Sequence, residues 1–496
     1  MPIPPTQAYL MPTALRRSLC LTATALCLPA LAAWATPLSA SLPASLPASL
    51  PLPIVQALNR AGIPAESIGL WVQASAETLP SLSHQEQQLF NPASVMKLVT
   101  TLAALDLLGP AHTFQTEVLV DGTLQNAILE GSLYIKAGGD PTLTTERASA
   151  LLRALRARGL QTIRGDLILD NQYYALSVPD PAEFDAAPER PYNAPPAALL
   201  FNYNTLALTL SPQNGAVVVR AEPPTLSVKA EIRPSNGICN GWQERLKPVI
   251  RGQELHLQGD YPLACGVRTA WFNLLAPADN NRLHIASLWQ ELGGRIDGQI
   301  RPGLTPDSAQ SLLRFASRPL AEIVRDINKH SNNVMTRMLF LNLGAAQFGA
   351  PATPAKAQQT VAAWLAQRGL ALPGLVLDNG AGLSREARLS PAGLGQLLHW
   401  ARTQPWFFEF AASLPTLGID GTLQKRSSPA HLVGRAHLKT GSLRAVRAWA
   451  GYLHDERGVG GHEWKTLVLI INHPNAPEAG PILDGLLNTL APPLSN

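Results

Sequence analysis

Residues 91–100 read NPASVMKLVT and set Ser94 and Lys97 three positions apart, just behind Pro92. Val95, Leu98, Val99, Leu102 and Leu105 follow at helical spacing, so a helix is expected from about Ala93. Residues i and i+3 of a helix share a face, which brings the hydroxyl and the amine together in its first turn. An unprotonated lysine in a sheltered cleft can take the serine proton, and the helix N-terminus favours negative charge nearby. The same spacing also arises where a serine merely caps a helix and a lysine is solvated. The rest of the chain decides between the two.

At 496 residues the chain exceeds what one core usually supports, so two or three domains are expected. A hydrophobic content of 46% with 15% charged residues marks a folded globular protein. The net charge of +4 and pI near 8.9 come without a basic stripe, interleaved aromatics or zinc-finger spacing, so no nucleic-acid partner is expected. Arg16 and Arg17, an apolar run over 19–31 and the small-residue site Ala33-Trp34-Ala35 read as a secretory signal over residues 1–35. The apolar run is short for a bilayer span, so the mature form is expected to be exported without a transmembrane anchor. That means the periplasm of a diderm host or the outer surface of a monoderm, with at most loose membrane or wall association. Cys20 and Cys27 leave with the signal. Cys239 and Cys265, with 25 residues between them, are expected to form a structural disulfide in an oxidising compartment; a catalytic thiol would need a partner pattern neither has.

Residues 36–54 repeat Leu, Ser, Pro and Ala and read as a flexible lead-in. A helix is expected over 55–61, a strand over 67–76, and the Ser94 helix through Leu108 to the Gly109-Pro110 stop. From 114 the texture changes to short strands punctuated by Gly, Pro and Asn: 114–137, 165–169, 206–210, 216–221, 228–232 and 254–259. A helix over 146–158 interrupts them. Helical patterns return at 284–292, 319–328, 332–341, 353–368 and 391–403. Two buried strands at 446–453 and 464–471 and a short helix over 481–490 close the chain.

Two further stretches bear on Ser94. His330-Ser331-Asn332-Asn333 offers a hydroxyl and an amide two positions apart on a turn. Lys439-Thr440-Gly441-Ser442 puts a cation and a hydroxyl ahead of a glycine, on an edge strand able to receive a carboxylate and leave the backbone open to substrate.

S-x-x-K, S-x-N and K-T-G in this order resemble the three motifs of penicillin-recognising serine enzymes. The 236 residues between Ser94 and Ser331 are far more than simple class A β-lactamases have. The match is to the D-Ala-D-Ala carboxypeptidase/endopeptidase group, the low-molecular-weight class C penicillin-binding proteins of peptidase family S13. Similar stretches run along the mature chain: GSLYIKAGGDPTL at 131–143, IRGDLILD at 163–170, YNAPPAALLFNYN at 192–204, LGIDGTLQKR at 417–426. The stretch at 379–384 departs from the family's D-G-S-G-L-S, with Asn379 and Ala381 in place of the acid and hydroxyl.

The resemblance implies an α+β fold. A transpeptidase-like domain, an antiparallel sheet flanked by helices with an all-helical lobe, spans 55–112 and 296–496. Two smaller, mainly β domains are nested in 113–295. It also implies roles: Ser94 the acylated nucleophile, Lys97 its base, Ser331 a proton relay to the leaving amine, Asn333 a ligand of the substrate amide that orients Lys97. Lys439 and Thr440 would hold the terminal carboxylate, Gly441 keep the strand open, and the backbone N–H groups of Ser94 and Ser442 form the oxyanion hole. The substrates are peptidoglycan stem peptides, β-lactams are covalent inhibitors, and no metal or organic cofactor is required; a homodimer is left open. A β-lactamase of the same superfamily and a non-catalytic wall-binding protein are the competing readings. The long insert opposes the first and the intact motifs the second.

Overall fold

Both faces of one sheet are covered, and its sequence shows why. The strand Glu463–Asn472 carries the unbroken apolar run 467–471, which suits a strand buried on both sides. Because successive side chains alternate, Leu467, Leu469 and Ile471 face one core while Val468 and Ile470 face another. The computed structural model describes residues 50–177, 180–252, 254–456 and 463–493. The expected signal over 1–35 lies outside them, as does the lead-in up to residue 49. In the sheet, Ala436–Leu443, Val446–Asp455, Glu463–Asn472, Ile68–Ala74 and Leu82–His84 follow one another, antiparallel throughout.

Helices Leu52–Ala61 and Gly480–Leu490 cover one face. The first begins three residues ahead of the expected start, with Pro51 at its N-cap and Pro53 in its first turn, where the missing N–H costs nothing. The other face meets the helical lobe: Lys97–Leu108, Leu320–His330, Asn333–Phe348, Pro354–Gln367, Pro391–Ala401 and Phe407–Ser413. Lys97–Leu108 is its centre, with every residue from Lys97 to Leu105 buried. Leu98, Val99, Leu102 and Leu105 each contribute about 1.5–3 kcal/mol by leaving water, which anchors the turn that carries Ser94.

Among the described residues, three more sheets lie between the first and second motifs. The largest joins Gln115–Gln125, Ile128–Lys136, Thr162–Ile163, Leu167–Asp170, Arg295–Ile296, Ile300–Pro302 and Gln310–Ala316. Thr145–Ala157 and Pro277–Glu291 pack on it. Two three-stranded sheets, Leu246–Arg251/Glu254–Pro262/Ser227–Ser235 and Arg268–Phe272/Leu206–Gln213/Ala216–Glu222, share a separate core, and Cys239 is bonded to Cys265 beside it.

Gln310–Ala316 pairs antiparallel with Gln115–Gln125 although it falls within the 296–496 stretch assigned to the catalytic domain. We therefore propose that the chain returns to the catalytic fold at about residue 317. Only Leu313 in this strand is buried, so its sequence carries no alternating pattern. Helix Pro277–Glu291 starts seven residues ahead of the expected 284. Its first turns bury Asn280 and Asn281, which hydrogen-bond the backbone of Leu199 and Phe201 and so break the apolar pattern. Asn333–Phe348 divides its faces: Met335, Leu339 and Leu343 enter the core between the helical lobe and the five-stranded sheet, Val334, Met338 and Leu341 the core of the large inserted sheet.

Candidate active site

Ser94 does not sit in an α-helix. Ala93–Met96 is a 3-10 turn, and the α-helix begins at Lys97. The tighter turn still aligns positions i and i+3, and Lys97 Nζ lies 2.9 Å from Ser94 Oγ. Ala93 enters the turn at φ +46, a left-handed conformation costly for a residue with a Cβ. Asn91 holds it there. Its Oδ1 accepts from Ala93 N, its Nδ2 donates to Ser384 O, and its backbone exchanges two hydrogen bonds with the Asn472 side chain on the sheet.

Lys97 is fully buried. Besides Ser94, its Nζ donates to Asn333 Oδ1 at 2.5 Å and to Ala381 O at 2.7 Å. All three partners are uncharged, and a neutral amine donates its two protons to Asn333 and Ala381 and keeps its lone pair for the Ser94 hydroxyl. Burial, followed by the positive charges of Lys439 and Arg337, holds the amine well below its ordinary value. That favours the unprotonated form, which can accept a proton.

Asn333 reaches Lys97 because Asn332 caps the helix Asn333–Phe348, its side chain accepting from Met335 N. Ser331 ends the preceding helix at φ +55 and turns its hydroxyl to Lys439 Nζ, 2.8 Å away. Lys439 is also fully buried, with Thr440 O as its other acceptor at 2.9 Å; burial pushes it down to about 7. Its strand passes directly beside the serine turn: a Cβ on Gly441 would lie 2.7 Å from Pro92 O and 3.2 Å from Ala93 Cβ. Thr440 Oγ1 donates to Thr422 Oγ1 at 2.8 Å, and Ser442 is exposed on the same strand.

The structure thus brings Ser94, Lys97 and Asn333 into one hydrogen-bonded group, and Ser331, Lys439 and Thr440 into a second. The disulfide Cys239–Cys265 belongs to the inserted region.

Several participants carried no motif of their own. The Ala381 carbonyl arrives on a loop where Asn379 Oδ1 accepts from Ala381 N and Asn379 Nδ2 donates to Leu383 O. Asn379 therefore closes this turn. Arg337, one turn beyond Asn333, is half-buried, with Nε unpartnered among the described residues. It lines a cavity of about 550 Å³ with Phe340, Asn379 and Ser384. A larger apolar hollow of about 700 Å³, along Pro354–Gln367, holds none of these groups.

The family model for D-Ala-D-Ala carboxypeptidase 3 (S13) matches residues 54–488. D-alanyl-D-alanine carboxypeptidase DacB of Haemophilus influenzae is 26% identical over 378 residues, 74% of this chain and 78% of that protein. A D-alanyl-D-alanine carboxypeptidase of an Actinomadura species is 28% identical over 414 residues, 78% of this chain and 74% of the relative. Among solved structures, penicillin binding protein 4 of Haemophilus influenzae superposes with a TM-score of 0.73 at 22% identity, covering 88% of this chain and 99% of its own. The same protein has been solved with a β-lactam bound. At that identity the superposition speaks for the fold.

Proposed function

Because the chain belongs to the D-Ala-D-Ala carboxypeptidase 3 (S13) family, we propose that Ser94 is its acylated nucleophile, working on peptidoglycan stem peptides. The enzyme class, a D-Ala-D-Ala carboxypeptidase, follows from the family and the named relatives. The finer reading rests on one observation: a buried lysine with only neutral acceptors stands 2.9 Å from the serine hydroxyl.

Lys97 Nζ takes the Ser94 proton as Oγ attacks the penultimate D-Ala carbonyl. The oxyanion is received by the backbone N–H groups of Ser94 and Ser442, each such donor supplying about 3 kcal/mol in analogous hydrolases. Ser331 passes a proton to the departing amine, and terminal D-Ala leaves. Water then cleaves the acyl-serine ester. In the endopeptidase direction the departing amine belongs to diaminopimelate of a cross-link. Asn333 binds the substrate amide and holds Lys97, while Lys439 and Thr440 receive the carboxylate. Benzylpenicillin acylates the same serine. The signal-like residues 1–35 support export to the periplasm of a diderm host. No helix among the described residues is long and apolar enough to cross a membrane.

The direct test is digestion of purified muropeptides. Release of D-Ala from pentapeptide monomers, with or without opening of D-Ala–diaminopimelate dimers, is expected; a folded protein that cleaves neither contradicts the proposal.

A pH dependence follows from Lys439. Burial lowers the free amine to about 7, and an arriving carboxylate raises it again by stabilising the charged form. Affinity for a carboxylate-bearing peptide is therefore greatest below pH 7. It weakens by up to about tenfold per pH unit above 7, until the bound value is reached. Calorimetry of the Ser94→Ala protein with a D-Ala-D-Ala peptide should show this decline together with proton uptake. Affinity independent of pH between about 6 and 9 would count against Lys439 as the carboxylate's cation.

A further inference from the structure

Behind the carboxylate strand lies an ion pair that the reaction above does not use. Lys329 stands two residues before Ser331 at the end of helix Leu320–His330, and its side chain is 6% exposed. Its Nζ donates to both oxygens of Asp420, at 2.7 and 2.6 Å, and to Leu414 O at 2.5 Å. Asp420 Oδ1 also accepts from Thr416 N at 2.8 Å, which closes the turn 416–420. Gly421 follows at φ +58, close enough that a Cβ there would lie 2.8 Å from Lys329 O. The next residue is Thr422, whose hydroxyl accepts from Thr440. The loop is stitched to the strand Ala436–Leu443 as well, through Leu438 N to Pro415 O and Leu417 N to Ala436 O, both 2.9 Å. A lysine on the helix that presents Ser331 thus fixes the loop whose hydroxyl meets Thr440.

A threonine hydroxyl has one proton to donate and two lone pairs. Here Thr440 spends its proton on Thr422. A carboxylate only accepts, so Thr440 must turn its proton to the substrate, and Thr422 must then donate its own to Thr440. The chain Thr422 to Thr440 to carboxylate polarises in one direction and strengthens each link. We propose that Thr422 is a positioning residue for carboxylate recognition, held in place by the Lys329–Asp420 pair. This rests on the reading of Thr440 as a carboxylate ligand given above.

The test compares acylation by benzylpenicillin with acylation by its methyl ester, which masks the carboxylate, each followed as a mass increase over time. Thr422 is exposed, so Thr422→Val is nearly isosteric at little cost to folding. It should slow benzylpenicillin by about three- to tenfold, the worth of one hydrogen bond between neutral groups, and leave the ester rate unchanged. Thr422→Ser should restore the wild-type rate, and Lys329→Met should reproduce the split between the two compounds. Thr422→Val with unaltered Tm and an equal effect on both compounds, or none on either, overturns the proposal. A wild-type protein acylated by neither compound removes the functional reading itself, and this inference with it.

Discussion

Lys97→Met is expected to lower the acylation rate by about 10³-fold, the usual worth of a positioned general base, in a protein that still folds. Methionine fills nearly the same volume, and each of the two buried acceptors it leaves unpaired costs about 1–3 kcal/mol, a loss that lowers Tm without unfolding the protein. The lost function is specific. Ser94 Oγ loses its neighbour at 2.9 Å, and no other basic side chain among the described residues hydrogen-bonds it. Asn333 Oδ1 and Ala381 O lose the amine they share, so part of the effect is disorder of the amide that meets substrate. Stopped-flow acylation with a chromogenic cephalosporin, beside a thermal melt, separates chemistry from folding. A rate within tenfold of wild type would mean that the proton goes elsewhere.

Gly382→Ala is expected to damage both stability and catalysis although Gly382 bears no functional group. Gly382 adopts φ +72, and an added Cβ would lie 1.9 Å from Ala93 O and 2.9 Å from Met96 Cβ. The obstacle is backbone, so the loop 379–384 or the serine turn must move. A left-handed non-glycine residue costs on the order of 1–3 kcal/mol, and the clash adds to it. The loop also presents Ala381 O to Lys97. A displacement near 1 Å there can cost about 10²-fold in rate. A fall in Tm of several degrees with a parallel loss of acylation rate is the expected result. Unchanged values for both would show that the two segments are not as tightly apposed as described.

The contact of Ser94 with Lys97 was legible because it depends only on local spacing, which a 3-10 turn satisfies as well as an α-helix. The sheet strands at 446–455 and 463–472 were legible for a similar reason, since burial on both faces leaves an unbroken apolar run. What could not be read depends on distant backbone. The Ala381 carbonyl comes to Lys97 from 284 residues away and has no side-chain signature. The Lys329–Asp420 pair spans 91 positions, and Asp420 looks like any turn aspartate. The strand Gln310–Ala316 was hidden because one buried leucine does not make an alternating pattern.

The central claim is that Ser94 forms the acyl-enzyme, and intact-mass analysis of the purified protein with benzylpenicillin tests it most directly, with Ser94→Ala alongside. One covalent adduct is predicted, mapping to the peptide that contains Ser94 and absent from the variant. An adduct that persists in Ser94→Ala, or none on demonstrably folded wild-type protein, would contradict it.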